Sequence, residues 1–141
     1  MMKKYIVFAL ALTLGFSAVA QKKELKTAKK ALAKGDFEKA GIALDAAEAF
    51  LVSMEDKYKS QYYLSRSIFY SKRDTDMSIK ADFENLKKAI AALEYVTNPA
   101  DAKELQIQQQ QLRAHLVNTG SLLLDKNDFI ASSNYFESAY N

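Results

Sequence analysis

Histidine occurs once in the 141 residues, at position 115, and cysteine does not occur. A Cys–His nucleophile is therefore out of reach, and the three Cys or His ligands of a zinc site do not exist. His115 stands between Ala114 and Leu116 in a helical stretch, the setting of a surface or groove imidazole and not of a catalytic base. Carboxylates are plentiful, but Glu24 and Glu38 fall on amphipathic helices, where acids form solvated faces. Asp74-Thr75-Asp76 hints at a calcium loop without the glycine and distal glutamate that complete one, so it is expected to be a polar turn with capping acids. No glycine-rich phosphate loop is present. These absences point to a chain that is not an enzyme and holds no metal or cofactor.

Three other groups of residues have types suited to binding. Lys22, Lys23, Lys26, Lys29, Lys30 and Lys34 make one segment basic, as an anionic membrane or an acidic peptide would require. Glu24 and Asp36 dilute that charge, and no Trp or Phe is there to insert, so a solvated helix face is expected and a membrane surface is argued against. Gln108–Gln111, inside a helical period, is expected to be an exposed polar face. Tyr58, Tyr62, Tyr63 and Tyr70 are divided between core and contact surface, since not all four can point inward; tyrosine offers large amphipathic area at low entropic cost.

The first twenty residues stand apart from the fold. Lys3 and Lys4 precede an apolar run from Tyr5 to Phe16, followed by Ser17-Ala18-Val19-Ala20. A short positive start, about a dozen apolar residues and an A-x-A ending describe a cleavable secretory leader. The run is short for a span of about 20 residues. Cleavage is expected between Ala20 and Gln21, with no cysteine there for a lipid anchor, giving a periplasmic or secreted domain over 21–141. Without Lys3 and Lys4 the formal charge falls from +3 to +1, which selects no partner and gives no reason to expect nucleic acid. With no cysteine, packing alone must hold the domain in an oxidising compartment.

The rest of the sequence is helical in composition and period: rich in Ala, Leu, Lys, Glu and Gln, with one proline and no alternating strand pattern. Helices are expected over about 21–34, 36–52, 54–72, 81–96, 99–126 and from 128 onward. Leu25, Ala28 and Leu32 form the first inward stripe, and Phe37, Ala40, Leu44, Ala47 and Leu51 the second. Phe83, Leu86, Ile90 and Leu93 form the fourth, and Leu105, Leu112, Leu116 and Leu123 the fifth. Ser71–Asp82 is a longer polar connection. Asn98-Pro99-Ala100-Asp101 supplies an N-cap, a proline in the first turn and an acid. Phe129 and Phe136 are expected to pack on the fifth helix. Ile130 and Tyr140 then lack a partner, which points to further repeats or self-association at the C-terminal end.

Two stretches are nearly the same. Lys34-Gly35-Asp36-Phe37 leads to Ala40, Leu44 and Ala47; Lys126-Asn127-Asp128-Phe129 leads to Ser132, Phe136 and Ala139. Each preceding helix carries a small residue, Ala28 and Gly120, with Ser67 in the middle pair. This small–large–small pattern resembles the tetratricopeptide repeat, a helix–turn–helix unit of about 34 residues, across 21–141. The spacings of 39 and 53 residues between the small positions depart from that period, most in the middle. The resemblance implies an all-α right-handed solenoid of antiparallel helix pairs, three units over 21–53, 54–97 and 98–141. It also implies an exported interaction scaffold whose first helices line a concave groove for a peptide or partner protein. By register the groove residues would be Lys22, Leu25 and Lys29, then Gln61, Leu64 and Ile68, then Ala114, Val117 and Ser121. The chaperone-type carboxylate clamp is not implied, because Leu25 and Lys29 stand where its Lys and Asn belong. The alternative is a cell-envelope component that stacks on further repeats or subunits without using a groove.

Overall fold

A computed structural model describes residues 19–72 and 79–140, and these form six α-helices with no strand among them. Helix α1 covers 19–34, α2 Phe37–Glu48, α3 Asp56–Lys72, α4 Ile79–Leu93, α5 Ala102–Asp125 and α6 Phe129–Tyr140. The expected leader lies outside the described residues up to position 18, and so does Asp74-Thr75-Asp76.

The repeated Lys-Gly/Asn-Asp-Phe stretches fold as the same turn twice. After α1, Asp36 N donates to Ala31 O at 2.9 Å and Gly35 N to Leu32 O at 3.2 Å. After α5, Asp128 N donates to Leu123 O and Asn127 N to Leu124 O, each at 2.9 Å. Both are paired 6→1 and 5→2 closures whose penultimate residue must take a positive φ; Gly35 has 72° and Asn127 has 61°. The aspartate then caps the next helix: Asp36 Oδ1 accepts from Lys39 N at 3.1 Å, and Asp128 Oδ1 from Ala131 N at 3.2 Å. One local code thus reverses the chain in two places.

Several boundaries differ from expectation. α2 stops at Glu48, and Leu51–Ser53 form a separate 3₁₀ turn. The polar connection after α3 is shorter than Ser71–Asp82, because α3 runs to Lys72 and α4 begins at Ile79. Asn98 caps as expected, accepting from Ala100 N at 3.2 Å, but Pro99–Asp101 is a 3₁₀ turn before α5 proper.

Two apolar cores share α3. The first takes Leu25, Ala28 and Leu32 of α1, Ala40, Ala43, Leu44 and Ala47 of α2, and Tyr62 and Phe69 of α3. The second takes Leu64 of α3, Leu86 and Leu93 of α4, Leu112, Leu116 and Leu123 of α5, and Tyr135 and Ala139 of α6. Leu64, Ser65, Arg66 and Ser67 are consecutive and all buried, so at 3.6 residues per turn α3 is covered all round. Its serines let neighbours close in while keeping polar atoms bonded: Ser65 Oγ donates to Gln61 O at 2.8 Å, and Ser60 Oγ accepts from Asn98 N at 3.1 Å.

Three packing expectations are corrected. Ala43, which the second inward stripe omits, is as buried as Ala40, because positions three after Ala40 and four before Ala47 share their helix face. In α6 the inward aromatic is Tyr135, while Phe129 is 61% exposed, because the helix turns Ser132, Tyr135 and Ala139 toward α5 and α4. Phe136 lies over Gly120, where a Cβ would meet its ring at 3.1 Å, and Ser132 Oγ donates to Gly120 O at 2.8 Å. The glutamine run is not wholly exposed. Gln108 is buried, on the stripe of Leu105 and Leu112, and donates to Ser71 Oγ at 2.9 Å and Ser67 Oγ at 3.3 Å.

Candidate binding cleft

The bonds of α5 show how it serves two sets of neighbours. Asn98 beside Ser60, and Gln108 beside Ser71, set α5 parallel to α3 along its first half. The second half pairs antiparallel with α6, where Ser132 meets Gly120 and Arg113 Nε donates to Ala139 O at 3.1 Å. That guanidinium sits at the carboxyl end of α6, where helix carbonyls favour a cation. The carboxyl end of α6 at Tyr140 is therefore level with Arg113, and among the described residues the first half of α5 is uncovered on that side.

The uncovered side is a cleft of about 430 Å³. Its floor is apolar, from Ile90 and Leu93 of α4 and Leu112 and Leu116 of α5. Gln106, Gln109 and Gln110 of α5 stand on its rim with Glu94, Arg113 and Ser138. Each glutamine amide offers a carbonyl acceptor and two N–H donors, the complement of an extended peptide backbone. Sequence reasoning missed this site, although glutamines at i, i+3 and i+4 were a signal that three amides share one helix face.

The nine groove candidates are not brought together. Lys22 and Lys29 are exposed on α1, and Gln61 and Ile68 are half-buried on α3. Leu25 and Leu64 are buried in different cores, because α1 turns the first toward α2 and α3 turns the second toward α4. Ala114 and Ser121 are exposed and Val117 half-buried. α3 ends at Lys72, beside Gln108, so these three lie roughly 9–20 Å further along the α5 axis at 1.5 Å per residue. The long α5 carries the third trio past the end of the helix that was to share its groove.

His115 is part of a tether at the start of α4. Its Nε2 is 3.3 Å from Asp82 Oδ2, which also accepts from the Tyr135 hydroxyl at 3.0 Å. Burial, with the Asp82 carboxylate second, pushes the Tyr135 phenol above its ordinary range. On the other core, Arg66 binds Asp45 and Glu48 of α2, each at 2.6 Å, and its Nε donates to Tyr62 Oη at 2.8 Å. Burial raises the Tyr62 pKa to about 12 against the opposing pull of Arg66. Both clusters join helices. Of the tyrosines 58–70, Tyr62 is core and the other three are half-buried. No protein-family model, curated protein or solved structure matches this chain.

Proposed function

We propose that this chain is a non-catalytic, tetratricopeptide-like scaffold, exported from the cytoplasm, that holds an extended segment of a partner protein in the α4–α5–α6 cleft. The observation that carries the reading is the cleft itself: half-buried Ile90, with the edges of the core residues Leu93, Leu112 and Leu116 beneath, under a rim of three glutamine amides. An apolar side chain would seat on the floor while the amides pair with the peptide backbone. The repeat-like reading draws support from the last helix pair, where Gly120, Ser132 and Phe136 meet as small, small and large. The test is titration of methyl-labelled protein with extended peptides carrying one large apolar residue. Methyl shifts at Ile90, Leu93 and Leu112, lost in Gln109→Lys/Gln110→Lys, are expected. Shifts confined to Ile68 and Leu25 would return the site to the α1–α3 side. Leu64→Glu is no test of either, since it places a charge in the core.

A second reading, an assembly component that stacks on other subunits, is favoured by one feature. Phe129, Ile130 and Tyr140 are 61%, 79% and 73% exposed on one helix, and Phe129 and Tyr140 border an open hollow of about 510 Å³. Concentration-dependent light scattering that disappears in Ile130→Asp would support it; a monomer at all concentrations would remove it.

A further inference from the structure

The six lysines of α1 are spread along the sequence but not around the helix. At 100° per residue, Lys22, Lys23, Lys26, Lys29, Lys30 and Lys34 fall within an arc of about 140°. The buried residues Gln21, Leu25, Ala28, Ala31 and Leu32 take the opposite arc. All six lysines are exposed, along roughly 18 Å of helix. The acids expected to dilute them do not face them. Glu24 is half-buried on the packed side, and Asp36 is past the helix end, accepting from Lys39 N as the cap of α2. Acids from the neighbouring elements are also engaged elsewhere: Asp45 and Glu48 with Arg66, Glu55 with Lys57. Only Lys29 has an acidic partner among the described residues, Glu104 at 3.8 Å, at one edge of the arc.

We infer that this lysine face docks on an anionic lipid surface, a property separate from peptide binding in the cleft. A straight stripe of flexible ammonium groups suits a plane of headgroup phosphates, where each long side chain adjusts independently and no bidentate geometry is demanded. Other polyanions fit less well. Residues 19–34 hold no arginine for a guanine edge, and the ring beside the stripe, half-buried Tyr58, already has Lys22 Nζ over it at 5.3 Å.

The test is co-sedimentation of the full chain with vesicles of zwitterionic lipid alone, or with about a third anionic phosphatidylglycerol. The apolar run before residue 17 is common to every variant, so differences between variants report on α1. Binding to the anionic vesicles should be at least tenfold tighter and should weaken as salt rises from roughly 50 to 300 mM. Lys23→Gln/Lys26→Gln/Lys30→Gln should lose roughly tenfold or more of that affinity. The matching triple Lys→Arg variant, and Lys39→Gln/Lys87→Gln off the stripe, should keep it. Circular dichroism melts should coincide for all of them. Undiminished binding by the Gln triple, or equal binding to both vesicle types, would overturn the inference. So would capture by duplex DNA or polyaspartate with no binding to anionic vesicles.

Discussion

A methyl group at Gly120 would sit 3.1 Å from Cε1 of Phe136, with two more ring atoms at 3.2 Å. Alanine normally favours a helix over glycine by about 1 kcal/mol. Here overpacking of about 1–3 kcal/mol opposes that gain, so Gly120→Ala should lower stability by about 1 kcal/mol in denaturant melts. Gly41→Ala, which meets only one edge of Phe69, should be near neutral. The positive-φ positions give the opposite pair of outcomes. Asn127→Gly relieves a left-handed asparagine and should hold or raise the melting temperature, whereas Gly35→Ala should cost about 1 kcal/mol. Tyr62 sets an alkaline limit. With a folded pKa of about 12 and an ordinary value near 10, it holds its proton in the folded state while the unfolded chain releases it. Its stabilisation is intact below about pH 10 and lost as pH rises toward 12, up to about 2–3 kcal/mol. Tyr62→Phe should show a shallower decline over that window in urea titrations.

At the level of helices, α2 offers the sharpest stability test. Ala40 and Ala43 lie about 60° apart on one face of α2, and both are buried in the first core. Ala40→Leu and Ala43→Leu should each destabilise by about 1–3 kcal/mol. A mild effect at Ala43 alone would mean that the packed face of α2 stops short of it. The sequence made the six helices legible because each has a continuous apolar stripe and a capped end, and because one turn code occurs twice. Ala43 was legible as well: it stands three residues after Ala40 and four before Ala47, and so widens the same stripe. Gln108 was hidden by its polarity, although its spacing from Leu105 and Leu112 placed it inward. The groove positions are spread along the molecule for another reason. Repeat register assumes successive first helices of equal length, and α5, at 24 residues against 17 for α3, carries its second half beyond α3.

The molecule as a whole presents surfaces of three kinds: a lysine stripe on α1, an amide-rimmed cleft beside α5 and an apolar α6. If the leader is cleaved where the Ala-Val-Ala ending indicates, N-terminal sequencing of protein recovered outside the cytoplasm should begin at Gln21. A retained Met1 in that fraction would refute the processing. Because the stripe and the cleft lie on different helices, losing vesicle binding should leave peptide titrations unchanged, and the converse should also hold.

The sharing of α3 between two cores has a consequence for how the molecule opens. Tyr63, Ile68 and Tyr70 pack against both clusters, so either side can come apart only by stripping one flank of a helix that the other flank still holds. Amide hydrogen exchange should therefore resolve three levels of protection, since sub-global openings follow packing units. Amides of α1 and α2 should exchange together as one cooperative unit, and those of the α5–α6 hairpin as another. The amides of α3 between Ser65 and Phe69 should exchange last, when both units are open.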